Sequence, residues 1–212
     1  MKRTLLVILG AASLVVFSDR VAFAQDGLLT CGGLPATIVG TNGDDVIVGT
    51  AGDDVIAGLN GDDNINGLAG NDIICGDNGN DTLQGHEGND VLYGGNGDDV
   101  LDGGVLGCCV NETVSHNVLY GENGNDILFA ADFGSDTLFG GNGDDELSGF
   151  QAPVNLHGGN GQDLLVGGIF NDKLFGDNGN DNLDGNVGID ILDGGNGTDG
   201  CANGEVNTFC EI

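Results

Sequence analysis

Aliphatic side chains recur every nine residues along most of this chain. Between residues 40 and 202, Ile, Leu or Val occupies the eighth position of a nine-residue unit in 17 of 18 units, and Cys201 occupies it in the last. The residues around that position alternate, as in Val46-Ile47-Val48, which predicts a short β-strand with its central side chain turned inward. The first six positions are rich in glycine and polar residues and predict a turn.

These units must stack on one another in order to form a core. One unit contributes a single aliphatic side chain, which it cannot bury alone, whereas stacked units bury a continuous column of them. Two units complete one coil of the chain, so eighteen units make about nine turns. We therefore predict an all-β fold, a β-solenoid of parallel strands.

The series of units has two irregularities. Residues 103–120 have the length of two units, GGVLGCCVN and ETVSHNVLY, which keep Val110 and Leu119 in phase but lose most other features. We predict two further stacked units here, forming a weakened waist. A single extra residue, Ala130, then shifts the frame of the remaining units.

The chain is strongly acidic. It has 34 Asp and Glu against 4 Lys and Arg, a net charge of −30, and 43 glycines against 2 prolines. Nucleic-acid binding is excluded because it needs basic side chains to neutralise phosphates, and the scarcity of proline excludes collagen. High net charge is typical of disordered chains, so a compact state needs something that offsets the repulsion between acids.

The acids are concentrated at one position of the repeat. Asp occupies the sixth position in 15 of the 18 units, and the exceptions are Cys108, Asn117 and Val154. Aspartate is common in turns, but a general preference for turns does not explain one acid at one phase in so many units. The regular spacing instead indicates metal ligation.

The units resemble the glycine- and aspartate-rich nonapeptide G-G-x-G-x-D-x-U-x of the RTX (haemolysin-type) calcium-binding family. The resemblance covers residues 40–202. It implies a right-handed parallel β-roll in which Ca²⁺ lies between successive turns, bound by loop carbonyls and by the sixth-position carboxylate. Oxygen donors of this kind suit Ca²⁺ better than Mg²⁺. The ligands carried over by position are Asp45, Asp54, Asp63, Asp72, Asp81, Asp90, Asp99, Asp126, Asp136, Asp145, Asp163, Asp172, Asp181, Asp190 and Asp199.

The resemblance also implies a number of sites. Alternate units lie on the same side of the roll, and a complete site needs aspartate in both of them. With eighteen stacked units, this rule predicts about ten intact sites. They fall into two blocks separated by the waist, with a second defect near Val154.

The first 24 residues have the features of a secretory signal peptide. Lys2 and Arg3 precede an apolar run from Leu5 to Phe17, and Ala22-Phe23-Ala24 offers a small-x-small cleavage site. The run is shorter than the about 20 residues needed to span a bilayer, and we predict no membrane span. We expect a secreted, extracellular protein, with the periplasm and the cell surface as alternatives. The predicted organisation is a signal peptide at 1–24, an N-terminal cap segment at 25–39, the calcium-binding β-roll at 40–202 and a C-terminal tail at 203–212.

Six cysteines in an exported chain indicate disulfide bonds. A 201–210 bridge would tie the tail to the last turn, and a 31–75 bridge would fasten the cap segment to the roll. Cys108 and Cys109 remain, and a bridge between neighbours would be strained. No C-x-x-C spacing favours a soft-metal or redox site, although all 15 connectivities stay open.

The ninth position faces outward and carries an aromatic strip on one side of the predicted roll. The strip is formed by Tyr120, Phe139, His157 and Phe175. Earlier units predicted on that side are mostly polar and carry Val48, Asn66, Gln84 and Asp102. Such a strip is either a surface for docking a glycan or protein partner or packing that stiffens the roll.

No catalytic motif is evident. His86-Glu87 does not continue into the H-E-x-x-H zinc motif, and there is no G-x-S-x-G nucleophile motif. We therefore expect no enzyme activity. The leading hypothesis is an exported, structural or surface-associated protein that folds on binding Ca²⁺. The alternatives are a calcium-dependent module that binds a polysaccharide or cell-surface protein, and a remnant of a larger toxin or enzyme.

Overall fold

The computed structural model describes residues 29–104, 115–131 and 134–210. These residues form strands and turns without a helix. Two short strands, β1 (Thr30–Cys31) and β2 (Leu34–Pro35), form an antiparallel hairpin before the repeats. All later strands belong to two long parallel sheets.

The chain alternates between these two sheets. The ten-stranded sheet contains β3 (Ile38–Val39), β5 (Val55–Asn60), β7 (Ile73–Asn78), β9 (Val91–Asn96), β11 (Val118–Asn123), β13 (Asp136–Asn142), β15 (Val154–Gly161), β17 (Lys173–Gly179), β19 (Ile191–Asp193) and β21 (Val206–Thr208). The nine-stranded sheet contains β4 (Val46–Val48), β6 (Asn64–Ala69), β8 (Thr82–Glu87), β10 (Val100–Asp102), β12 (Ile127–Phe129), β14 (Glu146–Ser148), β16 (Leu164–Val166), β18 (Asn182–Asp184) and β20 (Gly200–Ala202). The architecture is a parallel β-solenoid of about eight turns, consistent with a right-handed β-roll.

The eighth position of the repeat forms the core, as predicted. Ile47 stacks on Ile65 one coil later, and among the residues that the structure describes, the aliphatic side chains at this position from Ile47 to Leu192 are at most 1 % exposed. Each unit therefore buries one large side chain between the sheets. The core is a single column, and its stability depends on continuity from turn to turn.

The structure corrects the prediction for residues 103–120. In the regular part of the roll, stacked residues are 18 apart, but Val91 pairs with Val118 and Val100 pairs with Ile127. These pairs are 27 apart, so one nine-residue unit does not contribute a strand to the stack. Leu119 is in the core as predicted, whereas Val110 lies outside the described residues.

This 27-residue step between stacked residues changes which later turns lie above which earlier ones. Successive units alternate between the two sheets. Since the stack skips one unit, every unit after it lies, relative to the first seven units, on the opposite side of the roll from the one predicted. The single extra residue, Ala130, has no such effect. Both sheets take one 19-residue step here, Val118 to Thr137 and Ile127 to Glu146, and the core phase is kept.

Both ends of the roll are held by disulfides. Cys31 in the hairpin is bonded to Cys75, and Cys201 is bonded to Cys210 in the tail. Cys108 and Cys109, like the segment 1–24, lie outside the described residues. Among the described residues, none belongs to a helix capable of crossing a bilayer.

Candidate metal centre

The turns before the strands form two columns along opposite edges of the roll. The first turn column leads into the nine-stranded sheet and contains Asp45, Asp63, Asp81, Asp99, Asp126, Asp145, Asp163, Asp181 and Asp199. The second turn column leads into the ten-stranded sheet and contains Asp54, Asp72, Asp90, Asn117, Asp136, Val154, Asp172 and Asp190. All fifteen aspartates are at most 7 % exposed.

One carboxylate oxygen of each aspartate except Asp45 and Asp54 accepts a backbone N–H from the preceding coil and so links neighbouring turns. In the first turn column the backbone N–H of each aspartate donates to Oδ1 of the aspartate one coil later, at 2.7–2.9 Å, and this runs without interruption from Asp45 to Asp199. The contact from Asp99 to Asp126 crosses the place where the sequence predicted a waist. The first turn column is therefore continuous, and the predicted division into two blocks is wrong for this edge.

The second turn column contains the defects. Asn117 keeps the hydrogen bond between turns, because its Oδ1 accepts from the backbone N–H of Asp90, but it has no negative charge. Val154 has no oxygen to offer and packs in the hydrophobic core at 2 % exposure. All ten aspartate pairs expected from the sequence are stacked in the structure, and Asp99–Asp126 is an eleventh. The role of these residues as calcium ligands stays a prediction.

The second carboxylate oxygen distinguishes most of these aspartates from ordinary turn residues. Oδ2 is buried and lacks a hydrogen-bond partner in Asp63, Asp72, Asp81, Asp90, Asp99, Asp126, Asp145, Asp163, Asp181, Asp190 and Asp199. In the remaining four, Oδ2 accepts a backbone N–H from its own turn, as in Asp172 with Gly168. A buried, unpartnered charged oxygen is costly, so these oxygens require a proton or a cation.

Glycine at the first position leaves space beside this oxygen. A Cβ at Gly140 would clash with Oδ2 of Asp145 and with the backbone oxygen of Gly158 in the next coil. Gly121 is placed in the same way between Asp126 and the backbone oxygen of Gly140. A carboxylate oxygen and a carbonyl oxygen from successive turns therefore converge where the glycine lacks a side chain. A cradle of hard oxygen donors is suited to Ca²⁺.

The tail continues this arrangement at the end of the roll. A Cβ at Gly185 would meet the carbonyl oxygen of Asn203 and Oδ2 of Asp190, and one at Gly194 would meet the carbonyl oxygen of Phe209 and Oδ2 of Asp199. The residues after the last repeat thus supply the carbonyl that a following repeat supplies elsewhere. The repeat pattern did not predict this, because neither residue is part of a repeat unit.

A family profile described as the RTX calcium-binding nonapeptide repeat matches this chain. The matched segments are residues 39–74, 76–105, 115–133, 129–149, 157–192 and 175–205. The chain belongs to this RTX repeat family. A comparison with curated proteins found no match. The matches stop at residue 105 and resume at 115, within the interval where the register omits one unit.

The donor set of the turns is that of an RTX repeat and not of a transition-metal site. Within the described residues, no three or more His, Cys, Asp or Glu side chains converge on one point. Each turn instead offers an aspartate together with backbone carbonyls. Calcium accepts 6–8 oxygen ligands of mixed type in flexible geometry, so the residues present fit this ion.

Burial raises the pKa of nine of these carboxyls well above the ordinary value of an aspartate. The values rise from 3.8 to about 7 for Asp63, Asp72, Asp99, Asp145 and Asp163. They rise to about 6 for Asp81, Asp90, Asp126 and Asp181. Desolvation is the main cause, the N–H donated from the previous coil lowers each pKa, and nearby carboxylates raise it again. Near neutral pH, ionising these groups opposes folding unless a cation binds.

An asparagine ladder accompanies the first turn column and was not predicted. Asn stands at the third position of all nine units of this column, and from Asn60 onward each side-chain Nδ2 donates to the side-chain Oδ1 of the Asn one coil earlier, at 2.7–3.3 Å. The ladder contains Asn42, Asn60, Asn78, Asn96, Asn123, Asn142, Asn160, Asn178 and Asn196. Comparing alternate units alone would have found it, because the second turn column lacks this asparagine.

The aromatic strip is longer than predicted. Ring centroids of neighbouring side chains are 4.6–5.0 Å apart and their planes differ by 6–16°. The stacked rings are Tyr93, Tyr120, Phe139, His157 and Phe175. The prediction that Val48, Asn66, Gln84 and Asp102 precede them was wrong. These residues lie on the nine-stranded sheet, because the omitted unit shifts the sides.

Proposed function

We propose that this protein is an exported, calcium-dependent structural protein whose β-roll folds when about ten Ca²⁺ ions bind between its turns. The observation that carries this proposal is the set of eleven buried aspartate Oδ2 atoms without a partner. Each lies in a turn of an RTX repeat, beside a glycine at which a Cβ would clash with it. The proposed ligands are the fifteen sixth-position aspartates with the backbone carbonyls of adjacent turns.

Calcium would act on folding because only the folded chain brings these oxygens together. An ion that binds the native state and not the unfolded chain adds its binding free energy to stability. The core contributes one large side chain per unit, so it offsets little of the repulsion among the acids. We expect the chain to be largely unfolded where calcium is scarce and to fold where it is plentiful.

Export is part of the proposal. The segment 1–24 has the pattern of a signal peptide, and the two disulfides suit an oxidising compartment. Export would move the chain to the place where it gains both its disulfides and its calcium. A structural or surface-associated role, without catalysis, agrees with these features.

Circular dichroism during a calcium titration of the mature chain tests the proposal. We expect a cooperative gain of β signal with calcium, reversal by excess EGTA, and a much weaker response to an equal concentration of Mg²⁺. A native β signal that persists in excess EGTA, or an equal response to Mg²⁺, would contradict the proposal.

A second candidate function is binding of a polysaccharide or a surface protein. The observation that favours it is the outward-facing stack of five rings, since exposed aromatic surface is common in binding sites. The function would be calcium-dependent because the stack is assembled only in the folded roll.

A further inference from the structure

The rings of the aromatic stack present their faces to one another. Since Tyr120 lies 5.0 Å from both Tyr93 and Phe139, with planes 6° apart, both of its faces are covered. Along the strip a ligand meets only ring edges. Sugars and planar cations stack on ring faces, so a stacking ligand can use only the two ends of the stack.

The N-terminal end of the stack is covered by the hairpin. A Cβ at Gly32 would meet the Tyr93 ring at 3.3 Å, and the Cys31–Cys75 disulfide holds the hairpin in place. Burial raises the pKa of Tyr93, in agreement with this cover. The hairpin therefore leaves the outer face of Phe175 as the place for a stacking ligand.

A pocket of about 340 Å³ lies at that C-terminal end. In the strand register, Asp193 stands one coil after Phe175, where a sixth ring of the stack would lie. Its side chain is shorter than an aromatic one and leaves space beside Phe175. Phe209, in the tail after the last repeat unit, also lines this pocket. The lining residues are Phe175, Asp177, Asn178, Asp193, Gly195, Asn196 and Phe209.

The polar groups of the pocket are rich in hydrogen-bond acceptors. Oδ1 of Asp193 is buried and has no hydrogen-bond partner. Asp177 adds a second carboxylate, which lies 3.5 Å from Nδ1 of His157. Lys173, two residues before Phe175 on β17, is exposed and is not among the residues that line the pocket. A ligand that fits must combine a flat apolar face with several hydrogen-bond donors, and a positive charge would complement the carboxylates.

We propose that this pocket binds one hexosamine ring that carries a protonated amino group. The ring lies against the free face of Phe175, as an added member of the stack, and its amino and hydroxyl groups donate to Asp177 and Asp193. The size of the pocket is at the lower end of the range for small-molecule sites and suits a sugar unit. This inference names a ligand class for the second candidate function and rests on the proposed calcium-dependent fold.

Phe209 connects the pocket to the last turn of the roll. Its side chain lines the pocket, and its carbonyl oxygen points to the space beside Oδ2 of Asp199. An ion bound there would hold the backbone of Phe209, and so one wall of the pocket, in place. Sugar binding should therefore require calcium even in a chain that is already partly folded.

Isothermal titration of the mature chain with a glucosamine tetramer, in saturating calcium, tests the inference. The comparison ligands are the N-acetylglucosamine tetramer and cellotetraose, which lack the positive charge, and an arginine-rich peptide, which lacks the sugar ring. We expect the glucosamine tetramer to bind about tenfold more tightly than either neutral oligomer, because it adds a charge opposite two carboxylates.

The matched variants are Phe175→Leu, Asp193→Asn and, as a control, Tyr120→Leu. Leucine keeps apolar bulk but removes the ring face, and Tyr120 has no free face. We expect the first two variants to weaken binding about tenfold or more and the control to change it less than about twofold.

The outcomes separate the two proposals. If calcium folds the chain but no glucosamine tetramer binds, or Tyr120→Leu weakens binding as much as Phe175→Leu, the pocket inference is wrong and the proposed function stands. Tighter binding of the peptide would also overturn the hexosamine assignment. If calcium fails to induce β signal in the wild-type chain, the proposed function itself has failed.

Discussion

The two turn columns are built from the same nine-residue unit yet satisfy their buried aspartates differently. In the first turn column every unit has aspartate at the sixth position, and eight of the nine aspartates there leave Oδ2 without a partner. In the second turn column, where six of the eight units have aspartate at this position, three aspartates do so, namely Asp72, Asp90 and Asp190. The repeat therefore concentrates its demand for cations along one edge of the roll.

In the middle of the second turn column, hydrogen bonds and apolar packing take the place of unpartnered carboxylate oxygens. Asn117 is neutral, Oδ2 of Asp136 accepts the N–H of Ala131, and Val154 extends the hydrophobic core. The turn of Val154 and the next two turns of this column expose the apolar side chains Phe150, Ile169, Phe170, Val187 and Ile189. The comparison indicates that a repeat unit can keep its place in the stack without an ion. This requires that its sixth-position side chain is either hydrogen-bonded within the turn or apolar and packed in the core.

The largest effect we expect comes from neutralising the carboxyls with protons instead of ions. Nine aspartates, seven of them in the first turn column, have folded-state pKa values of about 6 to about 7 against an ordinary 3.8. A raised folded-state pKa contributes stability that is present below about pH 4 and is lost as the pH rises through about 6 to 7. In buffer freed of calcium by a chelating resin, β signal should therefore be higher at pH 5 than at pH 7.5.

High salt at pH 7.5 is the control for this experiment. Salt screens exposed charges but has little effect on buried ones, so it should not reproduce the effect of acid. In calcium, acid should have the opposite effect and raise the calcium concentration needed for folding, because protons compete for the same oxygens. A calcium-free β signal that is weaker at pH 5 than at pH 7.5 would contradict this account.

A smaller effect is expected from exchanging acid and amide between the columns. Asp145→Asn removes a charged oxygen from the first turn column and should lower stability in calcium by about 3 kcal/mol, the usual scale for losing one partner of a buried charge pair. It should also release at least one bound ion, measured as calcium stoichiometry by titration calorimetry.

The reciprocal change is Asn117→Asp in the second turn column. It restores aspartate between Asp90 and Asp136, so the stoichiometry should rise by at least one ion while the stacking hydrogen bond from Asp90 is kept. If both variants bind the same number of calcium ions as the wild-type chain, the two turn columns do not differ in calcium binding as we propose.

The smallest effect compares two glycines at the same position of the repeat. A Cβ at Gly140 would press on Oδ2 of Asp145 and on the backbone of Gly158, whereas one at Gly149 would mainly meet a methyl group of Val154 at 2.8 Å. Overpacking costs about 1–3 kcal/mol, and Gly140→Ala should lie near the upper end and also weaken calcium binding. Gly149→Ala should cost less and leave the calcium midpoint unchanged, because no aspartate lies beside it. If Gly149→Ala shifts the calcium midpoint more than Gly140→Ala does, the oxygen atoms beside Gly140 and Asp145 do not form a calcium site.

Much of the fold and of the candidate site followed from the period of the sequence. The burial of Ile47 and its equivalents and the position of the aspartates before each strand follow from a nine-residue unit that alternates between two sheets. The Cys31–Cys75 bridge was one of 15 connectivities that the sequence left open, and the structure contains it. The carbonyls of Asn203 and Phe209 could not be found in this way, because backbone groups have no signature in a sequence.

The repeat, the core position and the residues that lie in the turns could be read from the chain, because they depend on local alternation. The vertical order of the turns could be read only from the folded molecule. The unit omitted between Val91 and Val118 leaves the local pattern of all later units intact but transfers them to the other sheet. Stacking depends on long-range hydrogen bonds across 18 or 27 residues, and the local pattern is equally compatible with either spacing. For that reason the continuous first turn column, the fifth ring of the aromatic stack and the pocket beyond Phe175 became visible only in the folded molecule.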